Sequence, residues 1–298
     1  MEPRPVLDRT LRTAQGRLRL GWRLALLVLI GFTVVSVLSL VLPEGLLAGS
    51  LAFLVGAVVA GWALLALDGR APGALGFYAS THAVKETGLG FALGAGAAVL
   101  VLAALFVVGG LRWIGDDGSA IDWVPAGLGA LAILAIPAAG EEALLRGYAL
   151  QALTEAWGAK WALALTSLLF GALHLPNPGV TVLAILNVMV AGLFLGVLYL
   201  KTASLWLATG AHLAWNWCTG YLGDVPVSGL EILDAPLYDG VIRGPDWLGG
   251  GSFGPEGSLV TLLLLSGVVV WCWRTERLRP SEAALAARPL AVLTGRVE

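Results

Sequence analysis

Eight stretches of this chain stay apolar over roughly the twenty residues that a helix needs to cross the hydrocarbon of a bilayer: 24–42, 47–67, 88–110, 124–145, 159–175, 180–200, 203–222 and 258–273. Backbone hydrogen bonds must close within a segment in that medium, so such runs fold as helices. The expected fold class is all-α, a polytopic transmembrane helix bundle of about eight spans. It comprises a basic N-terminus over 1–23, a transmembrane domain over 24–273 and a basic tail over 274–298. Only 13% of residues are charged, about half the share in an ordinary globular protein. The net charge of -2 implies no nucleic-acid partner; the lipid bilayer is the implied surrounding.

The charges are segregated along the chain. One set of connections holds Arg4, Arg9, Arg12, Arg17, Arg19 and Arg23, then Arg70 and Lys85, Arg146 and Lys160, Lys201, and Arg274, Arg277 and Arg279. The other holds Glu44, Asp116, Asp117 and Asp122 beside Arg112, then Asp224, Glu231, Asp234, Asp239, Asp246 and Glu256 beside Arg243. Basic connections stay inside, so both termini are expected to be cytoplasmic, in the plasma membrane. The Arg-rich start is long for a signal peptide and no small-residue cleavage site follows it, so it is expected to be retained.

Within the apolar runs, Gly90, Gly94 and Ala98 recur every four residues, a spacing that lets helices approach closely. Cys218 and Cys272 fall in apolar runs and are too few for a disulfide framework or a Cys-based metal site. The Gly-rich stretch 244–257 reads as flexible loop that can cover an external mouth. The charged exception is Gly140-Glu141-Glu142-Ala143-Leu144-Leu145-Arg146. Ionised groups at this depth are costly and normally functional. On a helix Glu142 and Arg146 are i,i+4 neighbours and can pair, while Glu141 points about 100° away.

Of the three histidines, His82 reads as a solvated loop residue, whereas His174 and His212 lie in apolar runs. If the fourth and fifth spans turn near Gly158, Glu141 and His174 both sit roughly 25 Å from that turn and can meet. If the sixth and seventh turn near Lys201, Asn187 and Asn216 are level at roughly 21 Å, with His212 on the face of Asn216. These levels are compatible with one polar pocket on the cytoplasmic side. A carboxylate in a low-dielectric pocket holds a proton tightly enough to serve as general base. Glu141 and His174 can hold and deprotonate a water, and His212 and Asn216 can donate to an oxyanion, the arrangement that amide hydrolysis needs. No Ser or Cys is spaced as a nucleophile. Glu141, His174 and His212 also form a possible zinc ligand set, although no His-Glu-x-x-His motif is present and the residues serve a metal-free mechanism as well.

The motifs Glu141-Glu142-x-x-x-Arg146, Phe170-x-x-x-His174 and His212-x-x-x-Asn216 resemble, in content, order and spacing, those of the CAAX protease and bacteriocin-processing family, also called the Abi family. The resemblance covers about 124–220. It implies an eight-helix bundle and a glutamic-type intramembrane endopeptidase acting on a membrane-associated peptide or protein substrate. It further implies that Glu141 and His174 activate water, that His212 and Asn216 stabilise the oxyanion, and that Glu142 with Arg146 supports the site. No cofactor is required on this reading, with zinc the alternative. The rival from another class is a non-catalytic membrane scaffold or transporter with a polar centre.

Overall fold

The computed structural model describes residues 10–13 and 16–290; the expectations attached to Arg4, Arg9 and 291–298 lie outside them. The chain runs α1 (Leu20–Ser39), α2 (Leu46–Leu67), α3 (Thr81–Val107), β1 (Leu111–Gly115), α4 (Ala120–Glu142), α5 (Leu150–Trp157), α6 (Ala159–Leu173), α7 (Val182–Thr202), α8 (Leu205–Trp217), β2 (Tyr238–Ile242), α9 (Leu259–Arg274) and α10 (Glu282–Ala286). The π-helical turns Ala143–Ala149 and Cys218–Leu222 prolong α4 and α8. Among the described residues α1, α2, α3, the α4–α5 run and α7 are long and apolar enough to cross a membrane, while α6 and α9 are shorter apolar helices. The fold is an all-α polytopic bundle. Large apolar side chains such as Leu29 and Phe32 point outward, Phe32 at 71% exposure, an exterior suited to hydrocarbon.

Helix starts follow the side chains that can satisfy their free N–H groups. Ser80, Ser119, Thr181, Ser204 and Ser258 cap α3, α4, α7, α8 and α9. His82 lies in the first turn of α3, its Nδ1 3.1 Å from the Ser80 hydroxyl. One element escaped the sequence reading: β1 pairs antiparallel with β2, Leu111 opposite Ile242 and Gly115 opposite Tyr238. Nearby, Asp224 accepts from the N–H groups of Ala235 and Gly240 at 2.9 and 3.1 Å. Burial pushes its carboxyl above the ordinary range, those two bonds draw it back, and Asp234 and Asp239 add to the rise.

Both described ends of the chain meet at one end of the bundle. Arg70 donates to the Arg288 carbonyl and Gln151 accepts from the Leu290 N–H. There Arg23, drawn from the basic N-terminal stretch, is buried and bridges Asp68 at 3.0 Å and Glu155 at 2.9 Å. Tyr148 donates to the same Asp68 carboxylate at 2.7 Å. Arg17 joins through Asp68 and Glu155. A shared network of this kind keeps each buried charge paired, and it ties α1, α2 and α5 together at the end carrying the termini.

The core is set by close helix crossings. A Cβ added to Gly90 would stand 2.0 Å from the Leu207 carbonyl oxygen, and one on Gly94 would stand 2.0 Å from that of Ala211. Only glycine lets the backbones of α3 and α8 come this near. Cys218 and Cys272 are buried and unpaired, in keeping with packing roles.

Candidate functional site

α4 delivers the acidic pair. Gly140 lets α4 lie against α2, since a Cβ there would meet the Phe53 ring at 2.8 Å. Four residues earlier than Glu141, Pro137 has no N–H to give the Ile133 carbonyl, which loosens the helix beside the site. Immediately after Glu142 the ladder widens into the π-helical segment, which bends at Gly147 (ψ -115°). Interruptions of this kind inside helices are frequent at functional sites.

The two glutamates take different environments. Glu142 is fully buried, and Arg146 Nη1 donates to its Oε1 at 3.0 Å, the i,i+4 pair expected from their spacing. Arg146 also donates to the Gly192 carbonyl at 3.2 Å and lies 4.4 Å over the Phe170 ring. Glu141 has a side chain 29% exposed and lines the cavity described below.

His174 ends α6 as its C-terminal cap. Its Nδ1 lies 2.8 Å from the Phe170 carbonyl oxygen. A carbonyl can only accept, so Nδ1 carries the proton and the neutral ring keeps its lone pair on Nε2. His212, on α8, has Nδ1 3.0 Å from Glu142 Oε1 and Nε2 3.9 Å from Glu141 Oε2. It therefore stands between the two carboxylates. The Phe170 ring packs edge-on against both imidazoles. Asn216 follows His212 by one turn on α8.

Glu141, His174, His212 and Asn216 all line one cavity of about 550 Å³. Its walls are mainly apolar, and its exposed rim includes Leu46, Leu47, Ile133, Leu173, Leu230 and Ile232. The lining from Asn177, Val227, Ser228 and Glu256 belongs to the connections at the end opposite the termini. The cavity thus reaches toward the acidic connections, not toward the basic end as the level arithmetic suggested. That arithmetic measured distance from the turns but carried no information on which side the packing closes. At the basic end the buried Arg146, Tyr148 and Leu150 fill the space.

Two further expectations change. Asn187 is absent from the cavity lining; its Nδ2 donates to the carbonyls of Glu256 and Ser258 at 2.7 and 2.8 Å. The 244–257 stretch is a packed chain of short helical turns with Phe253 and Glu256 buried, rather than an open connector. Glu256 is a lining residue that the sequence reading missed. Its signal was faint: one acidic residue in a Gly-rich loop, just before the serine that caps α9.

For a metal, the donor chemistry is suitable in kind, since His174 Nδ1 has a carbonyl partner and His212 Nδ1 a carboxylate one, the arrangement that fixes a ligating tautomer. One Glu142 oxygen serves both Arg146 and His212. The spacing is less suitable. Among the described residues the ligand atoms gathered within 4.8 Å of one another are those of Asp224, Asp234 and Asp239, not of Glu141, His174 and His212.

Residues 123–218 match the family model for type II CAAX prenyl endopeptidase Rce1-like proteins. No curated protein and no solved structure matches the chain. The matched stretch spans α4 to the end of α8 and contains all seven residues of the three motifs, and this similarity supports membership of the family of CAAX proteases and bacteriocin-processing enzymes.

Proposed function

We propose that this protein is a glutamic-type endopeptidase that hydrolyses peptide bonds of membrane-associated substrates at the cavity between α4, α6 and α8. The observation that carries this reading is the convergence of Glu141, His174, His212 and Asn216 on one cavity, with the free lone pair of His174 fixed on Nε2. A water held by Glu141 and His174 Nε2 gives its proton to Glu141 as its oxygen bonds to the substrate carbonyl carbon. The carbonyl electrons move to oxygen, where Asn216 Nδ2–H and, in its doubly protonated form, His212 Nε2–H donate. Collapse breaks the C–N bond, and the proton on Glu141 passes to the departing amine. Glu142 holds His212 through Nδ1 and keeps Arg146 neutralised.

The apolar walls favour a substrate segment that arrives from the bilayer. With the basic connections on the cytoplasmic side, both termini are cytoplasmic and the cavity opens toward the outer leaflet. The test is hydrolysis of fluorogenic apolar peptides by the purified protein in nanodiscs, with Glu141→Gln as control; cleavage that persists in the variant overturns the reading.

The mechanism proposed is metal-free, because the four residues supply a base, a partner for the water and the oxyanion donors by themselves. A zinc reading draws on the satisfied Nδ1 atoms of both histidines. Full activity after exhaustive chelation supports the first; activity lost with stoichiometric zinc and restored on readdition supports the second.

A further inference from the structure

Glu256 lies outside the three motifs and outside the family match, yet it lines the same cavity as Glu141 and His174. The residue is only 6% exposed. Oε1 accepts from Trp215 Nε1 at 2.7 Å and Oε2 from the Ser228 hydroxyl at 2.5 Å. No Lys, Arg or His among the described residues pairs with it, and the cavity lining contains no Lys or Arg at all. A buried acid without a counter-charge is costly. Where the surroundings are apolar, such groups are retained for function.

The frame beneath Glu256 is rigid. Asn187 holds its carbonyl from α7, and the Ser258 and Thr261 hydroxyls both donate to the Pro255 carbonyl, at 2.7 and 2.6 Å. Gly229, next to Ser228, donates to the Phe253 carbonyl at 3.0 Å. A carboxylate has about four lone-pair positions, and Trp215 and Ser228 use two. The rest stay available at a fixed point of the cavity, which is what preorganised recognition requires.

We propose that Glu256 is a specificity-determining residue: it receives a Lys or Arg side chain of the substrate peptide, beside the apolar segment that fills the cavity. This rests on the proteolytic reading for the word substrate, but not on hydrolysis for its test. Two apolar peptides, N-acetylated and C-amidated, fluorescein-labelled and differing in a single Lys or norleucine, are titrated into Glu141→Gln protein in nanodiscs. Binding is followed by anisotropy. The Lys peptide is expected to bind more tightly, and adding Glu256→Gln is expected to weaken it about tenfold or more while sparing the norleucine peptide. Glu256→Asp, which keeps the charge, should retain the preference for Lys. Equal binding of both peptides, binding of neither, or equal weakening of both by Glu256→Gln would overturn the subsite; the last would leave Glu256 only the task of holding Trp215. Preference for Lys in a protein whose Glu141-intact form cleaves nothing would sink the proteolytic reading and leave the subsite standing.

Discussion

Glu142 Oε1 receives two cation-capable donors at once, Arg146 Nη1 at 3.0 Å and His212 Nδ1 at 3.0 Å, all inside the bundle. One oxygen thereby joins the structural ion pair on α4 to the imidazole on α8. Glu142→Ala should cost stability, because it strands a buried guanidinium; removing one partner of a buried pair typically costs about 3–5 kcal/mol. It should also release His212. The expected result is a lower Tm together with loss of peptidase activity. An inactive variant with unchanged Tm would give Glu142 a direct chemical part instead.

Glu141→Gln and His174→Ala act on the water and should each remove nearly all activity while leaving Tm close to that of the parent, because neither residue is fully buried. Glu141 is partly exposed to the cavity and His174 ends its helix. Asn216→Ala should lower kcat about 10²- to 10³-fold, as losing one oxyanion donor does. Retention of more than about a tenth of the activity by Glu141→Gln would name the wrong base.

Much of this was legible from the chain because charges in apolar runs are few and therefore informative. The i,i+4 spacing of Glu142 and Arg146 and the four-residue recurrence of Gly90 and Gly94 translate directly into contacts, since helical geometry alone decides them. Glu256 and the side toward which the cavity opens were not legible. Both depend on how a long connection folds back over the bundle, and a Gly- and Pro-rich sequence has no periodicity that reports such packing. Arg23 is a similar case: it reads as one of the run of arginines in the basic, cytoplasmic N-terminus, and the burial that Asp68 and Glu155 bring about is not visible in that run.

Arg23 supplies a prediction of its own. Its two carboxylate partners lie on α5 and just beyond α2, so Arg23→Ala should leave Asp68 and Glu155 under-paired at the end bearing the termini. Arg17 still reaches both from a more exposed position, so the loss should stay below that for Glu142→Ala. Activity per folded molecule should be nearly unchanged, the cavity being elsewhere. Thermal unfolding in detergent compared with the specific activity of the folded fraction checks this; a fall in specific activity at constant Tm would contradict it.

Gly94 ties packing to chemistry. Its missing Cβ leaves room for the Ala211 carbonyl, the residue before His212, and an added methyl would stand 2.0 Å from that oxygen. Backbone cannot swing aside as a side chain can, so Gly94→Ala must push α3 and α8 apart. Forcing extra volume into a packed interior typically costs about 1–3 kcal/mol. His212 would move with its helix away from Glu142, so activity should fall even in the folded fraction. Gly96 offers the internal control, because a Cβ there meets nothing within 4 Å. Gly96→Ala should be neutral or slightly stabilising, since alanine favours the helix by up to about 1 kcal/mol. The measurement is Tm and specific activity of both variants side by side. Equal tolerance of the two substitutions would mean that the close approach of α3 and α8 does not set the position of His212.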